Sequence, residues 1–151
     1  MTLKVAVMMG SESDRERMVA ALEILGEFGV EATEHVMSAH RTPDDVAAFA
    51  TAARENGYGA IVCGAGMAAH LAGAVAARTT LPVIGVPLSG SALQGVDALY
   101  ATVQMPRGMP VATVAIDNAT NAGLLAVQIL AVTDEDLVAK LTRYRERWRA
   151  R

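Results

Sequence analysis

The chain of 151 residues has one cysteine, 4% aromatic residues and 19% charged residues. A single thiol cannot close an internal disulfide, so the stapled folds of small secreted proteins are excluded. Cys63 lies in the apolar run Ala60-Ile61-Val62-Cys63 and reads as a small buried hydrophobe. With only three scattered histidines beside it, the chain offers no zinc-like ligand set, and no metal or cofactor is expected. The first residues, Met1-Thr2-Leu3-Lys4-Val5-Ala6-Val7, lack the basic region, hydrophobic stretch and cleavage site of a signal peptide. They read as a strand, and a reducing cytoplasm is the expected location. Long hydrophobic runs are also missing, with one apparent exception at residues 60–77. Gly64, Gly66 and His70 interrupt it and Ala and Gly dominate it, so it reads as a strand, a glycine turn and an Ala-rich helix rather than a membrane span.

What is present is apolar mass, 52% of the residues, and that excludes intrinsic disorder. The length fits a single domain over residues 1–151. Few aromatics leave the core to Ala, Val, Leu, Ile and eight Met, whose small side chains let backbones approach closely. A chain this short and this apolar has more apolar surface than a monomer hides, so a homo-oligomer is expected. The net charge of −3 is uneven: between Lys140 and Arg151 six cations face only Glu146, a net +5 that leaves −8 elsewhere. Such an end suits a terminal helix whose cations complement its dipole and an acidic neighbour. No aromatic platform or recognition-helix pattern accompanies it, so nucleic-acid and membrane binding are not expected.

Short Val/Ile-rich runs at 3–9, 30–37, 60–64, 83–88 and 111–116 alternate with amphipathic stretches at 13–27, 43–56, 67–78, 91–101 and 119–131, with a last helix from about 134. This is the pattern of βαβ units. It predicts a three-layer α/β domain of flavodoxin-like winding, with about five parallel strands and ligands beyond their carboxyl ends. Cap-type residues Ser11 to Asp14 precede the first helix, and Thr42 and Pro43 suit the N-cap and first position of the second.

Three strand ends carry candidate chemistry. Gly10-Ser11-Glu12-Ser13-Asp14 opens a helix, where free N–H groups and the positive dipole end suit a phosphate; equally, Ser13 or Asp14 caps the helix. Ser38-Ala39-His40-Arg41-Thr42-Pro43 sets a titrating imidazole beside a permanently charged fork. Gly64-Ala65-Gly66-Met67 presents a glycine turn before a helix that contains His70, for which a supporting part is expected rather than direct catalysis. His35, inside the second strand, has no partner motif. The segment 104–110, bounded by Pro106 and Pro110, reads as a stiff loop, the wall of a pocket or of an interface.

Together Met9-Gly10-Ser11-Glu12-Ser13-Asp14, Ser38-Ala39-His40-Arg41-Thr42-Pro43, Glu55-Asn56-Gly57-Tyr58, Gly64-Ala65-Gly66, Gly95-Val96-Asp97 and Val103-Gln104-Met105-Pro106-Arg107-Gly108 closely resemble the bacterial-type class of the phosphoribosylaminoimidazole carboxylase family, the N5-carboxyaminoimidazole ribonucleotide mutases. The match is collinear over nearly the whole chain. It implies a purine-synthesis isomerase that moves a carboxylate from the exocyclic nitrogen of an imidazole ribonucleotide to ring carbon C4 without metal or cofactor. By position, the resemblance makes His40 the general acid and base, gives the 5′-phosphate to Ser11, Ser13 and Arg41 and the ribose hydroxyls to Asp14, and lines the carboxylate end with Ser38, Gly66 and Met67. It also implies a homo-octamer whose C-terminal helix packs on a neighbouring subunit, with Tyr144 and Trp148 as anchors. Where the family usually has a small residue and Leu-Pro-Gly, this chain has Met67 and Leu71-Ala72-Gly73, and Met67 is expected to narrow the pocket wall. The competing readings are a direct carboxylase that uses dissolved carbon dioxide and a nucleotide-binding module without turnover.

Overall fold

The computed structural model describes residues 2–149, so Arg151, counted above in the basic end, lies outside the described residues. Five parallel strands, β1 (Lys4–Met9), β2 (Ala32–Val36), β3 (Tyr58–Gly66), β4 (Val83–Leu88) and β5 (Ala112–Thr113), form one sheet in the order β2-β1-β3-β4-β5. That order is the flavodoxin-like winding predicted from the alternation of runs. Six helices connect or follow the strands: α1 (Arg15–Glu27), α2 (Pro43–Ala52), α3 (Leu71–Ala76), α4 (Val96–Val103), α5 (Ala119–Ala131) and α6 (Glu135–Glu146).

Strand alternation divides the core. Val5, Val7 and Met9 of β1 point to the face covered by α1 and α5, whereas Ala6 and Met8 point to the face covered by α2 and α3. The central strands are covered on both faces, which is why they read as continuous apolar runs. Close approach requires glycine at two places. A Cβ on Gly64 would fall 2.3 Å from Met18 Sδ, and one on Gly123 of α5 would fall 2.3 Å from Ile24 Cγ2 and 3.0 Å from the Ala21 carbonyl oxygen of α1.

Several boundaries differ from the sequence expectation. Gly64-Ala65-Gly66 is the end of β3, not a turn; the turn follows at Met67, whose φ is 54°. The helix expected at 67–78 is shortened to Leu71–Ala76, so His70 stands at its N-cap position instead of inside it. The helix expected from residue 91 starts at Val96, after Gly95 takes a φ of 88° against Ser89 and Ile116. The first helix begins with a 3-10 turn, Glu12–Asp14, capped by the Ser11 side chain. Thr42 occupies the N-cap position of α2 without capping it: its Oγ1 accepts the Ser38 N–H at 2.9 Å and donates to the Ser38 carbonyl at 3.1 Å, closing the loop instead.

Helix α6 lies on α5 and on the end of α1. Lys140 Nζ donates to the Phe28 carbonyl at 2.7 Å, the Tyr144 ring sits 5.5 Å from Phe28, and Arg147 pairs with Glu27. Tyr144, expected as an anchor to a neighbouring subunit, is therefore engaged within its own chain. Trp148 borders a shallow depression lined by Leu124, Leu125 and Leu141. Among the described residues no helix is long and apolar enough to cross a membrane.

Candidate active site

Beyond the carboxyl ends of the strands lies an open cleft of about 490 Å³. It opens where β1 sends the chain outward to β2 and β3 begins the other half of the sheet, the switch point at which neighbouring loops diverge. Ser11, Ser13, Asp14, Ser38, His40, Arg41, Gly66, Met67 and His70, the candidates named from sequence, all line it.

The loop after β1 is internally bonded. Ser11 Oγ lies 3.0 Å from Ser13 Oγ and accepts the Ser13 N–H at 3.3 Å, and the Asp14 N–H donates to the Ser11 carbonyl at 3.0 Å. Ser11 thus caps the turn, not Ser13 or Asp14 as the alternative reading had it, and the hydroxyls of Ser11 and Ser13 remain together at the cleft. Partial burial raises the Asp14 carboxyl above the usual carboxylate range, opposed by the Arg17 charge and by the Ser11 backbone.

The loop after β2 is closed by Thr42 and by the Ser38 hydroxyl, which accepts the Arg41 N–H at 3.1 Å. Pinning at both ends presents the intervening His40 to the cleft and leaves the Arg41 side chain exposed. His40 Nε2 stands 2.6 Å from His70 Nδ1, the rings nearly perpendicular at 83°. The sequence marked both histidines separately; the pairing comes from β3 running on to Gly66 and then turning at Met67. Met67 itself is 64% exposed at the mouth of the cleft, so it edges the site more than it narrows it.

Sequence reading passed over Arg17, Ser89 and Gly90, which complete the β4 side of the cleft. Ser89 and Gly90 stand just ahead of the helix expected at 91–101, and Arg17, within the stretch expected at 13–27, was given no role. The signal for Arg17 was its place in the first turn of the helix that the Ser11–Asp14 loop opens. The loop 104–110 does not reach this cleft; Gly108, Met109 and Pro110 wall a depression at the opposite end of the sheet, beside Arg54 and Pro82. His35 is half-buried, bonded through Nε2 to Thr33 Oγ1 at 2.8 Å and packed on Phe49, and burial, reinforced by Lys4, lowers its proton affinity. Burial pushes the Cys63 thiol far up, which makes it inert at neutral pH. Among the described residues no three His, Cys, Asp or Glu side chains come together as a metal site.

Known proteins resemble this chain in sequence and in fold. The chain is 57% identical over 137 residues to an N5-carboxyaminoimidazole ribonucleotide mutase of Aquifex aeolicus, covering 91% of this chain and 82% of the relative. It is 52% identical over 138 residues to a chloroplastic phosphoribosylaminoimidazole carboxylase of Vigna aconitifolia, covering 91% of this chain but a quarter of that longer protein. A crystal structure of Treponema denticola PurE superposes with a TM-score of 0.86 at 27% identity, covering 94% of this chain and 89% of that one. The AIR carboxylase model matches residues 4–151, so this chain, whose Ser11–Asp14 and Ser38–Thr42 loops meet at one sheet end, belongs to the AIR carboxylase family.

Proposed function

We propose that this chain is an isomerase of purine synthesis that converts N5-carboxyaminoimidazole ribonucleotide to 4-carboxy-5-aminoimidazole ribonucleotide. The observation that carries the reading is the meeting of His40, Arg41 and the Ser11–Asp14 loop in one cleft, in a chain more than half identical to proteins named as that mutase. The 5′-phosphate sits on the Ser11 and Ser13 hydroxyls and on Arg41, where the start of a helix adds its dipole. Asp14 takes the ribose hydroxyls. The imidazole ring then extends toward His40, Ser38 and Gly66.

In the first half of the reaction the N–CO2 bond breaks and its electron pair returns to the exocyclic nitrogen, which takes a proton. In the second half the ring carbon C4 attacks the carbon dioxide and loses its own proton. His40 serves both transfers, giving the first proton and accepting the second, so no proton is gained or lost overall. His70 holds the His40 ring in place. Gly66 and the turn at Met67 keep carbon dioxide beside C4, because a reactant held in place outcompetes one at millimolar concentration.

We take residues 1–151 as one catalytic domain acting in the cytoplasm without metal or cofactor. It assembles as a homo-octamer, an arrangement supported by the apolar depression beside Trp148, which a second subunit would cover. The test is turnover of the carboxyamino substrate in the presence of labelled bicarbonate. Conversion with little label in the product is expected. A second reading, direct carboxylation of the aminoimidazole ribonucleotide, draws on the name of the plant relative. It predicts extensive labelling and efficient carboxylation at low bicarbonate. Absence of any turnover would return the cleft to a nucleotide-binding role.

A further inference from the structure

Arg17 sits in the first turn of α1, three residues after Asp14 and four after Ser13. Its side chain reaches over the end of β3 to the loop after β4. A Cβ built on Gly90 would fall 3.3 Å from Arg17 Nη2 and 3.6 Å from Cζ, so the guanidinium lies against a residue that has φ 111° and no side chain. Arg17 Nε faces Asp117 Oδ1 at 3.8 Å.

Asp117 is held firmly. Its Oδ1 accepts the Ser89 N–H at 2.8 Å, its Oδ2 accepts the Ser89 hydroxyl, and its backbone takes a φ of 59° at the turn before α5. An exposed pair at 3.8 Å adds little stability. What it provides is aim: Nε is turned toward the brace, and among the described residues the terminal amino groups of Arg17 donate no hydrogen bond to protein. Arg41 follows β2 on one side of the Ser11–Ser13 turn, and Arg17 borders the β4 side. An anion seated on that turn is approached by a guanidinium from each side.

We propose that Arg17 is a second guanidinium ligand of the substrate's phosphate and that Asp117, seated on Ser89, is the residue that positions it. This rests on reading the cleft as a ribonucleotide site. A dianion needs more than one cation for neutralisation, and the open edge of a guanidinium matches two phosphate oxygens.

The experiment combines kinetics with calorimetric binding of ribose 5-phosphate. Arg17→Met should raise KM roughly 10- to 100-fold with kcat nearly unchanged, the signature of lost uniform binding, and should weaken ribose 5-phosphate by the same factor. Arg17→Lys should recover part of both losses. Binding of the nucleoside without phosphate should not move. Asp117→Asn should raise KM in the native protein yet add nothing in the Arg17→Met background, since its effect runs through Arg17. Native ribose 5-phosphate affinity in Arg17→Met, or an equal loss for the phosphate-free nucleoside, would overturn the assignment. An additive effect of Asp117→Asn would overturn the positioning role. The ribose 5-phosphate arm needs no turnover, so an inactive native protein would sink the mutase reading and leave this test decisive.

Discussion

The His40 imidazole and the His70 imidazole meet nitrogen to nitrogen at 2.6 Å across 30 residues of sequence. One hydrogen atom fits in such a contact, so one ring donates and the other accepts, and the tautomer of His40 is tied to that of His70.

His40→Asn should abolish turnover and leave substrate binding within about tenfold, because the amide keeps a hydrogen bond but cannot accept and return a proton. His70→Ala should lower kcat about 10- to 100-fold with little change in KM, as for other residues that orient an imidazole. His70→Asn places an amide near the lost Nδ1 and should restore much of that rate. Unchanged turnover in His40→Asn would remove it from the chemistry, and equal rates for the two His70 variants would remove the orienting contact.

Arg41→Ala should weaken phosphorylated ligands about 10- to 100-fold, the range of one charge-assisted contact. Competition between ribose 5-phosphate and its phosphate-free counterpart measures this directly. If both weaken equally, Arg41 serves another part of the substrate.

Burial lowers the proton affinity of His35 relative to an unfolded chain, which titrates near pH 6.5. Above that pH the residue is neutral in both states and its contribution to stability is fully present. As pH falls below about 6.5 the unfolded chain takes the proton first, so stability is lost as pH drops through the lower folded value. His35→Gln, which can still bond Thr33, should make thermal stability fall less between pH 7 and pH 5 than it does in the native protein. Parallel curves in a melting series would assign the acid sensitivity elsewhere.

Ala is normally favoured over Gly inside a helix by about 1 kcal/mol. Gly123→Ala should nevertheless destabilise by roughly 1–3 kcal/mol, the usual cost of overpacking, because its methyl group would meet Ile24 and the Ala21 carbonyl. Combining it with Ile24→Ala should give a loss smaller than the sum of the two. Additive losses in denaturant melts would mean that the two helices do not touch as described.

Much of this was legible beforehand. The α5 helix runs over Ala119–Ala131 as its pattern predicts, and the alternation of runs points to the parallel sheet, whose order β2-β1-β3-β4-β5 is the flavodoxin-like winding expected. The Ser11–Asp14 loop and the His40-Arg41 pair could be placed at the cleft because strand ends before helices are where an α/β sheet exposes backbone donors. The end of β3 and the starts of α3 and α4 were misread because a glycine can mark either a close approach or a turn: Gly64 stays in the strand and admits Met18, whereas Gly95, inside the stretch expected to be helical, takes a left-handed turn that delays α4. The His40–His70 contact and the Arg17–Asp117 brace join residues 30 and 100 positions apart, and no local pattern encodes such meetings.

The sheet's margins carry a consequence for how copies of the chain can meet. One border, β5, is two residues long, and the other, β2, is guarded by Glu34, whose carboxylate is bound by Arg15. Neither offers a long, bare row of backbone donors and acceptors on which another chain could continue the sheet. Open-ended strand stacking is thereby disfavoured at both borders, which limits growth into fibres even in a chain so rich in apolar residues.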